Sequence, residues 1–101
     1  MTLQRIHILI YGRVQGVFFR KYTFELASSL NLTGFVRNRF NGSVEAVFEG
    51  DIEKIKKAIE WCHNGPPHAS VQGVEIVSDE ILSGPNDSRK FTSFSIESDQ
   101  I

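Results

Sequence analysis

Apolar and polar positions recur with clear periods along most of the chain. From Leu3 to Tyr11, Ile6, Ile8 and Ile10 share one face and His7, Leu9 and Tyr11 the other. That alternation predicts a strand, and two largely apolar faces place it inside a sheet. After Gly16 the period changes: Phe19, Tyr22, Thr23, Leu26, Ala27 and Leu30 fall at steps of three and four. This is one face of an amphipathic helix that should stop near Asn31. A second strand follows at Thr33 to Asn38, with Phe35 and Arg37 on one side and Val36 and Asn38 on the other. Arg39-Phe40-Asn41-Gly42 carries the Asn-Gly signal of a hairpin turn. A third strand runs from Ser43 to Glu49, with Val44, Ala46 and Phe48 inward. Ser43, Glu45, Val47 and Glu49 are expected to face mostly outward, the two glutamates solvated.

Gly50 breaks that pattern, and Asp51 is a good N-cap for a second helix marked by Ile52, Ile55, Ala58, Ile59 and Cys62. Asn64-Gly65-Pro66-Pro67 ends it through a glycine C-cap followed by prolines. Val71 to Val77 reads as a fourth strand with Val74 and Ile76 on one face. Ser83 to Ser88 has the composition of a loop, and Phe91 to Ile96 closes the chain as a short strand. The order βαββαββ predicts an α+β, ferredoxin-like split βαβ sandwich. Two helices should cover one face of a mostly antiparallel sheet of four to five strands, with the first and third strands in the middle.

The 101 residues fit one domain, taken here as 1–101, with an ordinary globular composition. A net charge of −1 gives no bulk attraction to nucleic acid or to an anionic membrane, so any anion site must be local. A single cysteine, Cys62, allows no internal disulfide and points to a reducing cytoplasm. No secretory leader follows Met1, and the apolar runs are too short to span a bilayer.

Local chemistry concentrates at Gly12-Arg13-Val14-Gln15-Gly16-Val17-Phe18-Phe19-Arg20. Glycines between a strand and a helix let successive N–H groups turn toward one point, which makes an anion-binding concavity. The helix start adds free N–H groups and the positive end of its dipole. Arg20, in the first turn, adds a planar fork of donors matched to phosphate oxygens. A glycine-bearing turn is equally often a plain connection, so the arginine and helix start carry the reading. The loop lacks the Lys-Ser/Thr pair of a Walker A motif, so a metal-bound nucleotide is not expected. His7, His63 and His68 show no metal-ligand spacing. His7 reads as a strand residue on the open sheet face, His63 and His68 as solvated, and Cys62 as core. Asn38, before the turn, reads on spacing alone as a residue bonding its own turn, with a place near the loop left open.

The two segments together resemble the acylphosphatase family. Gly12-Arg13-Val14-Gln15-Gly16-Val17 with Phe19-Arg20 resembles its first signature. Gly34-Phe35-Val36-Arg37-Asn38 with Gly42-Ser43-Val44 and Gly50 resembles its second. The likeness runs from about residue 6 to residue 77, with Gly65-Pro66-Pro67-His68-Ala69 in the same style, and fades after residue 78. Ser78 to Arg89 is longer than the usual final connection. The resemblance implies a small metal- and cofactor-independent hydrolase. It would cleave the carboxyl–phosphate bond of small acyl phosphates to a carboxylate and inorganic phosphate. It also implies that Arg20 binds the phosphoryl group and that Asn38 orients the attacking water. The backbone from Gln15 through Gly16, Val17 and Phe18 to Phe19 would form the cradle. A monomer with no nucleic-acid or membrane partner is expected.

Two other readings share the architecture. An RNA-binding module of the RRM type would stack bases on aromatics of its central strands. Here the third strand offers Glu45 and Glu49, which would repel phosphates. A catalytically silent phosphate-sensing domain would have the same cradle, and only turnover separates it from an enzyme.

Overall fold

A computed structural model describes residues 1–82 and 89–99 of the chain. Seven elements follow in the expected order: β1 (Leu3–Arg13), α1 (Phe19–Ser29), β2 (Thr33–Asn38), β3 (Val44–Asp51), α2 (Ile52–Asn64), β4 (Ser70–Leu82) and β5 (Phe94–Ile96). They form one sheet in the order β4-β1-β3-β2-β5. All neighbours are antiparallel except β5, which runs parallel to β2. The helices pack on one face, α2 against β4, β1 and β3, and α1 against β2 and β5. The fold is a ferredoxin-like α+β sandwich.

Side-chain period explains the core. Ile6, Ile8 and Ile10 of β1 meet Val44, Ala46 and Phe48 of β3 and Val36 of β2 beneath the helices. Phe19, Thr23 and Ala27 of α1 and Ile55, Ala58 and Cys62 of α2 are buried against that layer. Tyr22, assigned to the same helical face, lies exposed at its rim. Burial pushes the Cys62 thiol up to about 12, so it stays neutral and packs as a small apolar group. The Asp51 carboxylate accepts the Glu53 N–H at 3.1 Å, and the Gly65 N–H donates to the Trp61 carbonyl at 2.7 Å, so both ends of α2 are closed as expected.

The open face of the sheet corrects the sequence expectation. Ser43, Glu45, Val47 and Glu49 do not face solvent; all four are buried, and Glu49 completely so. Glu45 is held between Arg37, whose Nε donates at 2.5 Å, and His7, whose Nε2 lies 2.6 Å away. His7 is thus on the open face as expected, but paired. The Glu49 carboxylate receives Arg5 Nη1 at 2.8 Å and the backbone N–H groups of Lys90 and Phe91 at 2.9 and 3.1 Å. The segment before β5 therefore crosses this face, and the Phe91 ring packs 5.8 Å from that of Phe35. Strand alternation predicts which side a residue is on, but not what later chain covers that side.

Strand ends differ as well. β3 continues through Gly50 to Asp51, with Gly50 paired to Gln4. β4 runs past Val77 to Leu82, along the start of β1. A register shift opposite His7/Ile8 leaves Val77 outside the pairing, and the polar stretch beyond it hides the continuation. Gln4 Nε2 donates to Asp79 Oδ1 at 2.6 Å, and Arg5 Nη2 to Glu80 Oε2 at 3.1 Å, fixing that extension. β5 is shorter than expected because Phe91 is used on the open face and the ladder with β2 begins at Phe94. The loop expected at Ser83 to Ser88 lies outside the described residues.

Two outcomes follow from the open face. Glu49→Ala strands the Arg5 guanidinium's buried partner site and two backbone donors, and losing one member of a buried charged cluster typically costs about 3–5 kcal/mol. A thermal melt should show a fall of more than about 10 °C, and trypsin should cut after Lys90 faster than in wild type. For Glu45, burial favours the neutral acid, but the bonds from Arg37 and His7 outweigh it and hold the carboxyl below its ordinary value. A depressed folded pKa gives stability that is present above the unfolded value and lost as pH falls through the folded one. The stability difference between wild type and Glu45→Gln should be full above about pH 5 and shrink as pH falls below about 4. Urea titrations across that range measure it.

Candidate active site

The segment joining β1 to α1 is shaped by backbone constraints at both ends. Gly12 belongs to β1, not to the loop: it pairs with Val71, next to a register shift. Its φ of 123° and a Cβ that would sit 2.2 Å from the Ser70 carbonyl oxygen restrict the position to glycine. Gly16, at φ 75°, has open space where a Cβ would be, so there the backbone angle alone requires glycine. Val14 and Val17 between them are buried and anchor the loop in the core. Phe19 does the same for the start of α1, its ring 5.3 Å from that of Trp61 on α2.

Helix α1 begins at an unusual N-cap. Phe18 has left-handed angles, φ 64° and ψ 25°, and no side chain caps the first turn. No acidic residue lies in that turn either. The first N–H groups of α1 and its positive dipole end therefore remain without the acidic or capping partner that usually satisfies them. The residues of this turn border a cavity of about 380 Å³ whose lining includes Gly16, Phe18, Phe19, Arg20, Asn38 and Ile96, along with Val14 and Lys21.

The cavity gathers most of the residues singled out in the sequence. Arg20 and Asn38 come from different elements and both line it. Asn38 is nearly buried at the end of β2, and its side chain makes no hydrogen bond among the described residues. The turn-bonding reading of Asn38 therefore fails. Asn41 takes that role, its Oδ1 accepting the Ser43 N–H at 3.0 Å and the Ser43 hydroxyl at 2.6 Å. Of the five loop positions, Gly16, Phe18 and Phe19 line the cavity. The Val17 side chain goes to the core. The Gln15 side chain turns the other way: its Nε2 donates to the carbonyls of Arg39 and Ser43 at 2.7 and 2.9 Å. Since Arg39 follows Asn38 directly, one amide ties the loop to the end of β2.

Two contributors carry no signal in the sequence. Ile96 reaches the cavity because β5 pairs with β2 at Val36. Asp99 follows it and meets Arg20, Oδ1 to Nη1 at 3.0 Å, with both side chains part-exposed. Neither residue is near the loop in sequence, and only the parallel return strand brings them there. Among the described residues no group of three or more His, Cys, Asp or Glu side chains is placed to hold a metal ion. None of the helices is long and apolar enough to cross a membrane.

The bridging amide gives a direct test. Gln15→Ala removes both donors, at about 0.5–1.5 kcal/mol for each hydrogen bond lost. The variant should melt several degrees lower, and amide exchange should rise at Gly16 and Arg39 relative to the sheet interior.

Comparison with known proteins agrees with this geometry. The family model described as Acylphosphatase matches residues 6–96. An acylphosphatase of Rubrobacter xylanophilus is 52% identical over 81 residues, which is 80% of this chain and 73% of that protein. One of Pelotomaculum thermopropionicum is 47% identical over 76 residues, 75% of this chain and 83% of that one. Among solved structures, an acylphosphatase from Coxiella burnetii superimposes with a TM-score of 0.80 at 34% identity, covering 95% of this chain and 94% of that one.

Proposed function

The chain belongs to the acylphosphatase family and is an enzyme that hydrolyses acyl phosphates; from that premise we propose how its residues divide the work. The N–H groups of the segment Gln15 to Phe19 and the guanidinium of Arg20 hold the phosphoryl oxygens. Asn38 holds the attacking water. The observation that carries this reading is the single cavity shared by the uncapped start of α1, Arg20 and Asn38. On this reading residues 1–101 act as one catalytic domain and as a monomer. On the same reading the enzyme works in the cytoplasm.

The chemistry asks little beyond placement. A carboxylate is a good leaving group, so positioning and charge stabilisation can carry the rate. The water oxygen attacks phosphorus, the bond from phosphorus to the acyl oxygen breaks, and the carboxylate leaves with the bonding pair. The proton from water passes to a phosphoryl oxygen, and the products are a carboxylate and inorganic phosphate. Donors fixed before the reaction stabilise the charge that develops on the equatorial oxygens. Arg20 supplies the positive charge that a metal supplies elsewhere, so hydrolysis proceeds without a metal or organic cofactor.

The roles separate experimentally. Asn38 acts on the nucleophile, so Asn38→Ala should lower kcat by about 10²–10³ while the inhibition constant of inorganic phosphate changes little. Arg20→Lys keeps the charge and loses the fork, so it should weaken phosphate competition and turnover together. Turnover of acetyl phosphate should persist in EDTA. Normal turnover in a folded Asn38→Ala protein removes Asn38 from the mechanism. Phosphate binding without turnover in wild type makes the domain a sensor.

A further inference from the structure

Two helices do not cover a five-stranded sheet, and the shortfall falls on β4. Ile76 pairs with Ile8 and Ile81 with Gln4, so both lie on the helical face. Each is nevertheless 55% exposed. Beside them runs a cavity of about 440 Å³, larger than the one at the start of α1. Ile6 of β1 and Ile52, Ile55 and Ile59 of α2 line it. The three α2 residues stand at steps of three and four, and Ile52 and Ile59 are half-buried, so the apolar stripe of the helix continues past the core to this groove. Apolar residues scattered singly over a surface need no explanation, but a contiguous apolar groove with a polar rim marks an interaction site. The rim is charged mainly with one sign. Glu53 and Glu60 line the groove, and Asp79 lies on the same face of β4, between Ile76 and Ile81. The partner of Asp79 is the neutral Gln4 amide, which leaves its charge in place. Against these three carboxylates stand Lys56 and His63. The outer edge of β4 is a poor site for a further strand. A register shift leaves Val77 out of the ladder, and Glu75, Asp79 and Glu80 follow one another along it. Bulges and charges of this kind obstruct strand addition. The face beside α2 is open where the edge is guarded.

We propose that the groove between α2 and β4 docks a basic amphipathic helix of a partner protein, laid beside α2 as a third helix on the sheet. Apolar side chains at helical spacing enter between Ile59 and Ile76 and take both out of water. Lysines or arginines on the flanks of that helix meet Glu53, Glu60 and Asp79. The groove lies over Gln4 and Ile6, near the start of β1, whereas Arg20 and Asn38 gather beyond the end of that strand. Docking therefore leaves the active site open, and the partner carries the enzyme without blocking it. The proposal stands on this surface alone and does not depend on which residues hold the phosphoryl group.

The test titrates the full chain, labelled at its isoleucine methyl groups, with two synthetic peptides of about 18 residues, long enough to hold a helix. One is built from leucine and lysine and the other from leucine and glutamate, each with its leucines at helical spacing. The leucine–lysine peptide should bind with a Kd below about 100 μM and shift the methyl signals of Ile59, Ile76 and Ile81. The leucine–glutamate peptide should bind about tenfold more weakly or worse. Ile76→Thr, at an exposed strand position, should cut the affinity about five- to tenfold. Phe40→Ser, which removes a ring 70% exposed on the hairpin after β2, should leave it within about twofold. Glu60→Lys should narrow the difference between the two peptides. Equal binding of both peptides, or an unchanged affinity in Ile76→Thr, overturns the proposal. So does protection of the outer β4 amides from exchange on peptide binding, which makes the ligand an added strand. A wild-type dimer in sedimentation that Ile76→Thr dissolves makes the occupant a second copy and overturns it too. Acetyl phosphate turnover that falls as the leucine–lysine peptide saturates overturns the placement away from the active site.

Discussion

A carboxylate with no exposure to water has to be matched by donors, and the arrangement around Glu49 shows how much of the molecule one such group fixes. Its partners are Arg5 of β1 and two backbone N–H groups from the segment that leads into β5. Meeting them draws the late chain across the open face of the sheet. From there β5 can enter only on the free edge of β2, and it does so in parallel, pairing Gly34 with Phe94 and Val36 with Ile96. Stacking of Phe94 on Phe48, ring centroids 5.6 Å apart, then locks the strand from the helical side. Without that return, the cavity would lose Ile96 and Arg20 would lose Asp99. A buried charge is seldom the best source of stability, since desolvation opposes the pairing. What it does here is tie β1 to the segment before β5.

The active-site end of the sheet follows a different logic, in which two segments are made rigid separately and then joined. Loop 14–18 is anchored by Val14 and Val17, and the start of α1 by Phe19. The hairpin after β2 closes on itself through Arg39, Asn41 and Ser43. The Gln15 amide joins the two, satisfying a carbonyl on each side of the turn. That link fixes Asn38 relative to the N–H groups of the loop. A reaction that depends on a water aligned with a bound phosphoryl group is sensitive to such relative placement, because a displacement of about 1 Å can cost about 10² in rate.

The same two regions show what could be read from sequence and what could not. Helix α2 was legible in full, since its cap, apolar stripe and stop signals are all local: Asp51, Ile55 to Cys62, and Gly65. β2 was legible to the residue for the same reason. Glu45 and Glu49 were misread because strand alternation assigned them to a face that is covered by partners far away in sequence. The extension of β4 to Leu82 was hidden by a register shift that carries no sequence mark. At the site, Gly16 and Arg20 signalled themselves through backbone chemistry and helix position, whereas Gly12, read as part of the loop, belongs to β1. Asn38 did not signal itself, and only family resemblance singled it out. The Gln15 side chain's two bonds were not legible, because only its backbone entered the reading.

The contact between Arg20 and Asp99 joins the start of α1 to the chain after β5. A carboxylate oxygen 3.0 Å from the guanidinium occupies one of the fork's donors, as a phosphoryl oxygen would. Both side chains are substantially exposed, at 35% and 55%, so solvent screens the pair. Exposed ion pairs of this kind contribute about 0.2–1 kcal/mol. Under the proposed roles, a phosphoryl group would meet the same guanidinium with more charge and would add backbone N–H groups and a helix dipole. Charge-assisted bonds of that sort are roughly twice as strong as neutral ones and several act at once. Under the proposed roles, Asp99 would orient the arginine without closing the cavity and give way to the phosphoryl group.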